Sequence, residues 1–308
     1  MSIAMRLSVS VFILFAAQVI GKGQSPTVSE PAIKQVWIHH TDSTWKDTRL
    51  INTETTKTPL AHVMIFRITH RFGDVLEGGG FQTLFGFDAA TDINLSFEYG
   101  ITNNLEVGIG RSSQEGLVDG MVKYKLLSQN STSMPVSLAL YEDAGITPEL
   151  NSMFYAYATS YTPQVSDRLS YFTQLILDRR FSSHISLEVF AGLSHRNYVL
   201  GNVNPKNGAV DESNIPVIGA GGSIKLTKHS GIVFDYYYII SAFRTGNTFP
   251  YSNPLSIGYE IETGGHVFEI NFSNASFINE NNIIPNTNDS WSQGGFKLGF
   301  SISRTFNL

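Results

Sequence analysis

The sequence alternates apolar and polar side chains every second residue along most of its length, and this pattern restricts the fold more than any other feature. Between Thr91 and Tyr99, every second side chain is apolar or aromatic and the side chains between them are polar. A helix repeats its faces every 3.6 residues, whereas a β-strand repeats them every two. The pattern therefore predicts an all-β chain of about twelve strands. The segments concerned are residues 60–72, 91–100, 104–112, 116–127, 135–142, 168–180, 185–196, 214–226, 231–241, 254–262, 266–273 and 294–307.

The lengths of these segments and of their links favour a membrane barrel. Many segments have about 9 to 13 residues, close to the roughly 9–11 that a tilted strand needs to cross a bilayer. Short turns, such as 101–103 and 182–184, alternate with long polar links, such as 143–167 and 273–293. Outer-membrane barrels sort their turns in this way. We therefore predict a transmembrane antiparallel up-and-down β-barrel.

Two alternatives stay open. Residues 81–87 and 153–161 also read as extended, and a barrel in which both crossed the membrane would have about 14 strands, although we favour outer loops for them. A secreted two-sheet sandwich would contain similar strands, but it gives no reason for links sorted by length. The link at 113–115 is short where the alternation calls for a long one.

The N-terminal segment indicates export. Residues 1–23 contain Arg6, the apolar run Leu7–Ile20 and then small residues, which is the order of a secretory signal peptide. Residues 24–59 precede the first strand, and we weigh two placements for them, a plug inside the barrel or a periplasmic arm. Residues 60–308 are the predicted outer-membrane β-barrel domain.

The composition excludes several classes of protein. The chain has no cysteine, so disulfides and a lipid anchor on cysteine are impossible. A formal charge of -5 argues against a nucleic-acid partner. Charged residues make up 15% of the chain, against roughly 25% in soluble domains.

A family resemblance is carried by His70–Gly73, Glu98–Thr102, Val107–Ser113, Asp119–Gly120 with Lys123–Leu127, and Ile261–Phe268. These stretches resemble an uncharacterised β-barrel family of Bacteroidota outer membranes, from about Trp45 to the C-terminus. The resemblance implies a barrel in the outer membrane, with lipid as its surroundings, and it implies no activity. Residues 297–302 also resemble the terminal signal that the barrel-assembly machinery reads, although Arg304 stands where that signal prefers an apolar residue.

The polar faces of the strands predict the lining of the lumen. Cations and anions are mixed there, and twelve strands lie between filled barrels of about eight and open pores of about sixteen. We expect a small-solute channel or transporter; the alternative is a non-conducting barrel that binds a ligand or partner. The lumen-lining candidates are Arg67, Arg71, Asp92, Glu98, Glu106, Asp119, Lys123, Lys125, Asp178, Arg180, Glu188, Arg196, Lys225, Asp235, Glu260, Glu262, Glu269 and Lys297.

The binding alternative depends on aromatic residues in the predicted outer loops, which also suit the interfacial girdles of any membrane barrel. The loop residues are Gly79, Phe81, Phe85, Phe87, Tyr155, Tyr157, Tyr161, Phe249, Tyr251, Phe277 and Trp291.

We predict no enzyme and no cofactor. Ser194 and His195 are adjacent, so they face opposite sides of a strand and cannot act together within it. Most histidines fall near predicted periplasmic turns, and His39 and His40 precede the barrel. A periplasmic metal or haem contact is therefore a hypothesis, but no metal site is assigned and any periplasmic partner is unknown.

Overall fold

A computed structural model describes residues 44–76, 80–130, 133–148 and 164–308. Within these residues, twelve antiparallel strands form one closed barrel in which neighbours in sequence are neighbours in space and β12 pairs with β1. The predicted fold class is confirmed. The strands are β1 (Val63–Asp74), β2 (Ala90–Gly100), β3 (Leu105–Ser112), β4 (Val118–Leu127), β5 (Ser137–Ile146), β6 (Leu169–Arg180), β7 (Ile185–Arg196), β8 (Asn214–Lys225), β9 (Ser230–Ile239), β10 (Leu255–Thr263), β11 (His266–Ser273) and β12 (Lys297–Asn307).

The remaining regular structure is short. The helix α1 spans Glu280–Asn286, and 3₁₀ turns lie at Gly80–Thr83, Gln114–Gly116, Val165–Arg168 and Trp291–Gln293. The 3₁₀ turn at Gly80–Thr83 and the hydrogen-bonded turns after it take the place of the additional strand considered at 81–87. The other one, 153–161, lies outside the described residues. In the part of the chain that the structure describes, no helix is both long and apolar enough to cross a bilayer.

Closure leaves both strands at the seam fully paired. The register of β1 against β12 runs from Val63 opposite Asn307 to Arg71 opposite Gly299 and, after a bulge, ends with Asp74 opposite Lys297. Unpaired edge groups cannot be satisfied in hydrocarbon, so a sheet that spans a bilayer must close on itself.

The short turns and the long links lie at opposite ends of the barrel, which we call the short-turn end and the loop end. Residues 113–117, between β3 and β4, lie at the loop end as the alternation of links requires, although this link is short. The start of the first strand and the C-terminus of the chain meet at the short-turn end, where the backbone N–H of Leu308 donates to the carbonyl oxygen of His62 over 3.1 Å.

The outer face is apolar on all sides. Large side chains such as Ile109 and Ile270 are 58% and 59% exposed, and most outward positions of the strands carry similar residues. Exposure of such a continuous apolar surface to water is unfavourable, whereas its contact with the acyl chains of a bilayer is favourable.

The inner face is polar only in part, which corrects the expectation that polar faces alone line the lumen. Strand β6 turns Phe172 and Ile176 inward, both completely buried, and neighbouring strands add inward Tyr141, Phe190 and Tyr237. Because β6 carries apolar residues on both faces, alternation alone could not show which of them point inward. This apolar patch lies towards the loop end and is covered by Ile284 of α1.

Candidate functional site in the barrel lumen

The lumen is occupied by residues 44–59, which we call the plug. Its backbone forms a narrow hairpin, in which the N–H of Thr55 donates to the carbonyl of Thr48 over 2.8 Å and the N–H of Leu50 to that of Thr53 over 2.9 Å. Almost all of its side chains are buried, and they contact strands on every side of the wall. The segment therefore lies inside the barrel; residues 24–43 lie outside the described residues.

The base of the plug is fixed at the short-turn end. Trp45 and Thr56, one from each arm, both donate to the carboxylate of Asp178 on β6. Ser186, at the start of β7, donates to the carbonyl of Thr44 over 3.0 Å. Thr58 reaches the carbonyl of Asn103 in the first short turn over 2.8 Å.

One side of the plug is bound by a charged network on β1, β2 and β12. The guanidinium of Arg67 donates to both carboxylate oxygens of Asp47, at 2.8 and 2.9 Å, and its Nε donates to Glu98 over 3.0 Å. Ser303 adds a third donor to Asp47. Burial raises the pKa of Asp47, but Arg67 outweighs burial and holds it well below its usual value. Asp47 is thus an ionised anchor.

A second network joins the middle of the plug to β3 and β4. Lys123 lies 2.8 Å from Glu54 of the plug and 3.1 Å from Glu106 of β3, and all three side chains are at least 97% buried. Burial raises the pKa of Glu54, but the positive charges of Lys123 and Arg49 outweigh burial and hold this pKa below its usual value. Loss of Glu54 would leave Lys123 with Glu106 as its remaining carboxylate partner. This loss would be destabilising, because a buried cation depends on its partners.

The tip of the plug is held by Asn52 at the loop end. Its side-chain amide donates to Asp235 over 3.1 Å and to Ser256 over 2.6 Å, and its backbone N–H donates to Asp235 over 2.6 Å. Its amide oxygen accepts from Arg71 over 3.0 Å. One asparagine thus connects β1, β9 and β10.

A second insert enters from the loop end. Residues 274–290, between β11 and β12, fold inward and carry α1, which we call the inserted loop. Arg71 donates to the carbonyls of Ala275 and Phe277 over 3.0 and 2.7 Å. Asn281 donates to Asp143 of β5, and the backbone N–H of Ile278 donates to Asp92 over 3.1 Å.

The two inserts meet inside the barrel. Arg49 of the plug lies 3.1 Å from Glu280 of α1 and 2.9 Å from Glu54 within the plug. Burial raises the pKa of Glu280 to about 8, although Arg49 opposes that shift. The described lumen is therefore occupied by two inserts that are in contact with each other.

The structure places the predicted lumen residues as follows. Most are buried inside the barrel; Lys297, for example, lies 2.6 Å from Asp74 and also pairs with Asp289. Five are only half buried and lie at or near strand ends. The buried ones are Arg67, Arg71, Asp92, Glu98, Glu106, Asp119, Lys123, Asp178, Glu188, Asp235, Glu260, Glu269 and Lys297, and the half-buried ones are Lys125, Arg180, Arg196, Lys225 and Glu262.

Sequence reasoning missed Asp143, because the fifth segment was ended at residue 142. The strand continues to Ile146 with the same alternation, so Ala139, Tyr141 and Asp143 all point inward. It also missed the partners supplied by Asp47, Asn52 and Glu54. No periodic signal connects a segment outside the strands to positions on the wall.

A small cavity separates the plug from the wall. Its volume is about 20 Å³, roughly the space of one water molecule, and its lining includes Glu98, Asp119 and Tyr141. Oδ1 of Asp119 has no hydrogen-bond partner among the described residues. The boundary between plug and wall thus offers polar room for water.

The described residues contain no group of three or more histidine, cysteine, aspartate or glutamate side chains that could hold a metal ion. His39 and His40 lie outside them. Ser194 is buried, whereas His195 bonds to Asn214 and Asn197 at 2.8 and 3.1 Å. The two residues thus have separate surroundings.

The closed sheet and its apolar outer face define a membrane β-barrel protein. The chain belongs to the family described as "Membrane bound beta barrel domain (DUF5777)", whose model matches residues 45–306. The matched region begins within the plug, so it includes both the plug and the wall.

Several solved porins and outer-membrane proteins are similar to this chain at low identity. The NanC porin is 8% identical over 80% of this chain and 100% of that chain, with a TM-score of 0.48. The KdgM porin is 6% identical over 79% and 99%, with a TM-score of 0.45. The Acinetobacter baumannii outer membrane protein Omp33 is 9% identical over 80% and 99%, with a TM-score of 0.40. Likeness at this level carries no functional information, and no curated protein matches the sequence.

Proposed function

We propose that this protein is an outer-membrane passage for small hydrophilic solutes, and that the plug closes it at rest. The observation that carries the proposal is the chemistry of the boundary between plug and wall. Asp47, Asn52 and Glu54 hold the plug through hydrogen bonds and ion pairs. Water can replace hydrogen bonds at a modest net cost. The apolar part of this boundary is a small cluster, formed by Trp45, Leu50 and Ile51 of the plug with Val233 of β9.

The topology supports withdrawal of the plug. The plug belongs to no strand of the wall, and a twelve-stranded wall remains closed by β1 and β12 whether or not the plug is inside. A barrel of this size is wider than the eight-stranded barrels whose side chains fill the lumen. Loss of the plug would therefore leave an aqueous space lined largely by charged residues and narrowed at the loop end by the inserted loop, which loses its contact with Arg49.

The location follows from the same architecture. Membrane barrels with short turns at one end and long loops at the other lie in bacterial outer membranes, with the short turns in the periplasm. We place the loop end outside and the plug base in the periplasm. Export by residues 1–23, assembly by the barrel-assembly machinery and an origin in Bacteroidota are parts of this proposal.

The experiment is planar-bilayer recording of the full-length protein and of its Asn52→Ala variant. The substitution removes three hydrogen bonds, two of them to charged groups, and should weaken plug insertion by about 2–4 kcal/mol. We expect rare openings in the native protein and far more frequent openings in the variant. A folded variant that never carries current would contradict the proposal.

The matched control is Asn94→Ala. Asn94 is also a buried lumen asparagine, but its amide donates to Ser112 of the neighbouring strand over 3.1 Å instead of to the plug. We expect its conductance to equal that of the native protein. Equal gains in both variants would show that the plug contacts are not what closes the lumen.

A second candidate function is binding of a ligand or partner by the outer loops of a barrel that does not conduct. Exposed aromatic residues at the loop end favour it, since Phe81 is 80% exposed and Phe249 is 52% exposed. The residues Gly79, Tyr155, Tyr157 and Tyr161 lie outside the described residues. Folded Asn52→Ala protein without current would favour this second candidate.

A further inference from the structure

The buried charges of the wall are unevenly distributed around the barrel, since one side carries buried carboxylates without a buried cation. Five carboxylates point inward from β6 to β11 and are at most 7% exposed; we call them the acidic sector. The buried cations of the wall are on β1, β4 and β12, where they are mixed with the buried carboxylates of β2 to β5. The arginine and lysine residues of the strands on this side lie at strand ends, where Arg180, Arg196 and Lys225 are half buried and Arg179 is exposed. The acidic sector consists of Asp178, Glu188, Asp235, Glu260 and Glu269.

Within the acidic sector, carboxylates are paired with carboxylates. Asp178 is the direct cross-strand partner of Glu188, and Glu260 is the direct partner of Glu269. Like charges at directly opposed positions destabilise a sheet. This arrangement is unfavourable for the wall alone and favourable where a cation lies against it.

Glu188 points to the place that such a cation would occupy. Neither of its carboxylate oxygens has a hydrogen-bond partner among the described residues, and its side chain is 98% buried. A Cβ atom built on Gly221 would lie 3.0 Å from Oε1 of Glu188 and 2.5 Å from Leu50 of the plug. The carboxylate therefore lies beside the plug, and it gains access to the lumen when the plug withdraws.

The plug supplies positive charge to this side of the lumen. It carries Lys46, Arg49 and Lys57 against Asp47 and Glu54. Burial lowers the pKa of Lys57, while attraction from Asp47, Glu262 and Glu260 opposes the shift. Withdrawal of the plug removes more positive than negative charge and leaves the acidic sector facing water.

We infer that the open passage prefers small cations, inorganic or organic, over anions, and that the acidic sector is its selectivity surface. The inference rests on the proposed function, because it concerns the lumen after the plug has left. Carboxylates lining a narrow aqueous path raise the local concentration of cations and repel anions.

The test is the reversal potential of full-length Asn52→Ala protein in a KCl gradient across a planar bilayer. We expect it to lie towards the potassium equilibrium potential. Glu188→Gln and Glu260→Gln, added singly and together, should move it towards zero, because each removes one charge and keeps the side-chain shape. Glu188→Gln breaks no hydrogen bond in the described structure, and heat-modifiable gel migration verifies folding.

The matched control is Glu142→Gln, since Glu142 is an exposed glutamate on the outer face of β5. It should leave the reversal potential unchanged. Current with a reversal potential at zero or towards chloride would overturn the selectivity inference and leave the passage intact. Insensitivity to both lumen substitutions would overturn it as well. Absence of current in the folded protein would instead contradict the proposed function itself.

Discussion

Nη2 of Arg49 donates to Oε2 of Glu280 over 3.1 Å, so that the plug and the inserted loop are joined inside the barrel. The two residues are 231 positions apart and approach each other from opposite ends of the lumen. Arg49 also bonds to Glu54 within the hairpin, and its side chain is only 10% exposed. Movement of one insert should therefore affect the other.

Replacement of Arg49 should release the plug. Arg49→Gln removes the charge-assisted hydrogen bonds of Arg49 to Glu54 and Glu280, each worth about 1.5–3 kcal/mol. The expected result is faster trypsin cleavage at Lys46 and Lys57, which the seated plug protects. Peptide mapping by mass spectrometry locates the cuts.

A double variant isolates the contact between the inserts. Arg49→Gln combined with Glu280→Gln should be cleaved more slowly than the sum of the single effects predicts, because both single variants remove the same contact. Simple additivity would mean that the two side chains are not energetically coupled.

Alkaline pH should loosen the inserted loop. Burial raises the pKa of Glu280 to about 8, from 4.5 when solvated, so the inserted state holds a proton that the released state lacks between these values. The contribution to insertion is complete below pH 4.5 and is lost as the pH rises towards 8. Hydrogen exchange of α1 should therefore be faster at pH 9 than at pH 6.

The Glu280→Gln variant is the control for this pH dependence. It cannot titrate at position 280, so the difference in exchange between pH 6 and pH 9, after correction for the intrinsic rate, should shrink. Asp47 does not contribute in this range, because Arg67 holds the pKa of Asp47 well below its usual value. An undiminished pH effect in the variant would assign it to another group.

A disulfide should lock the passage closed. The side chains of Asn52 and Ser256 are 2.6 Å apart, and the native chain has no cysteine to compete. Asn52→Cys with Ser256→Cys should carry no current when oxidised and should conduct after reduction, measured on the same bilayer. The Asn52→Cys single variant should respond to neither treatment. Equal current in the oxidised and reduced double variant would mean that the plug does not gate the passage.

Close packing inside the barrel should make Gly219 intolerant of a side chain. A Cβ there would lie 2.2 Å from Cζ of Phe190 and 2.4 Å from the carbonyl of Tyr236. We expect Gly219→Ala to lower the free energy of unfolding by about 1–3 kcal/mol, as overpacking does. Gly201→Ala, with open space around its Cβ, should have little effect. Denaturant titration in detergent micelles compares the two.

The wall could be predicted from the sequence because the two faces of each strand have different surroundings, apolar outside the barrel and mostly polar inside it. Alternations such as that of residues 91–100 gave strand positions within a few residues of β2 (Ala90–Gly100). Prediction was weakest where both faces are apolar, as in β6, since Phe172 and Leu175 look alike in sequence although one is buried and the other exposed.

The contents of the lumen could not be predicted in the same way. Whether residues 24–59 lie inside the barrel depends on contacts such as that of Asn52 with Asp235, which is 183 positions away. The inward fold of the inserted loop depends equally on the apolar patch beneath Ile284. Both are consequences of side-chain complementarity across the closed sheet, and no local pattern encodes it.

Both arms of the plug run out through the same opening, at Thr44 beside Ser186 and at Thr58 beside Asn103. Within the described residues 44–59, the hairpin enters and leaves the barrel at the short-turn end, and neither arm passes through the loop end. A force applied to the residues before Thr44 would break the contacts between plug and wall a few at a time. The hydrogen bonds between the strands of the barrel would remain intact.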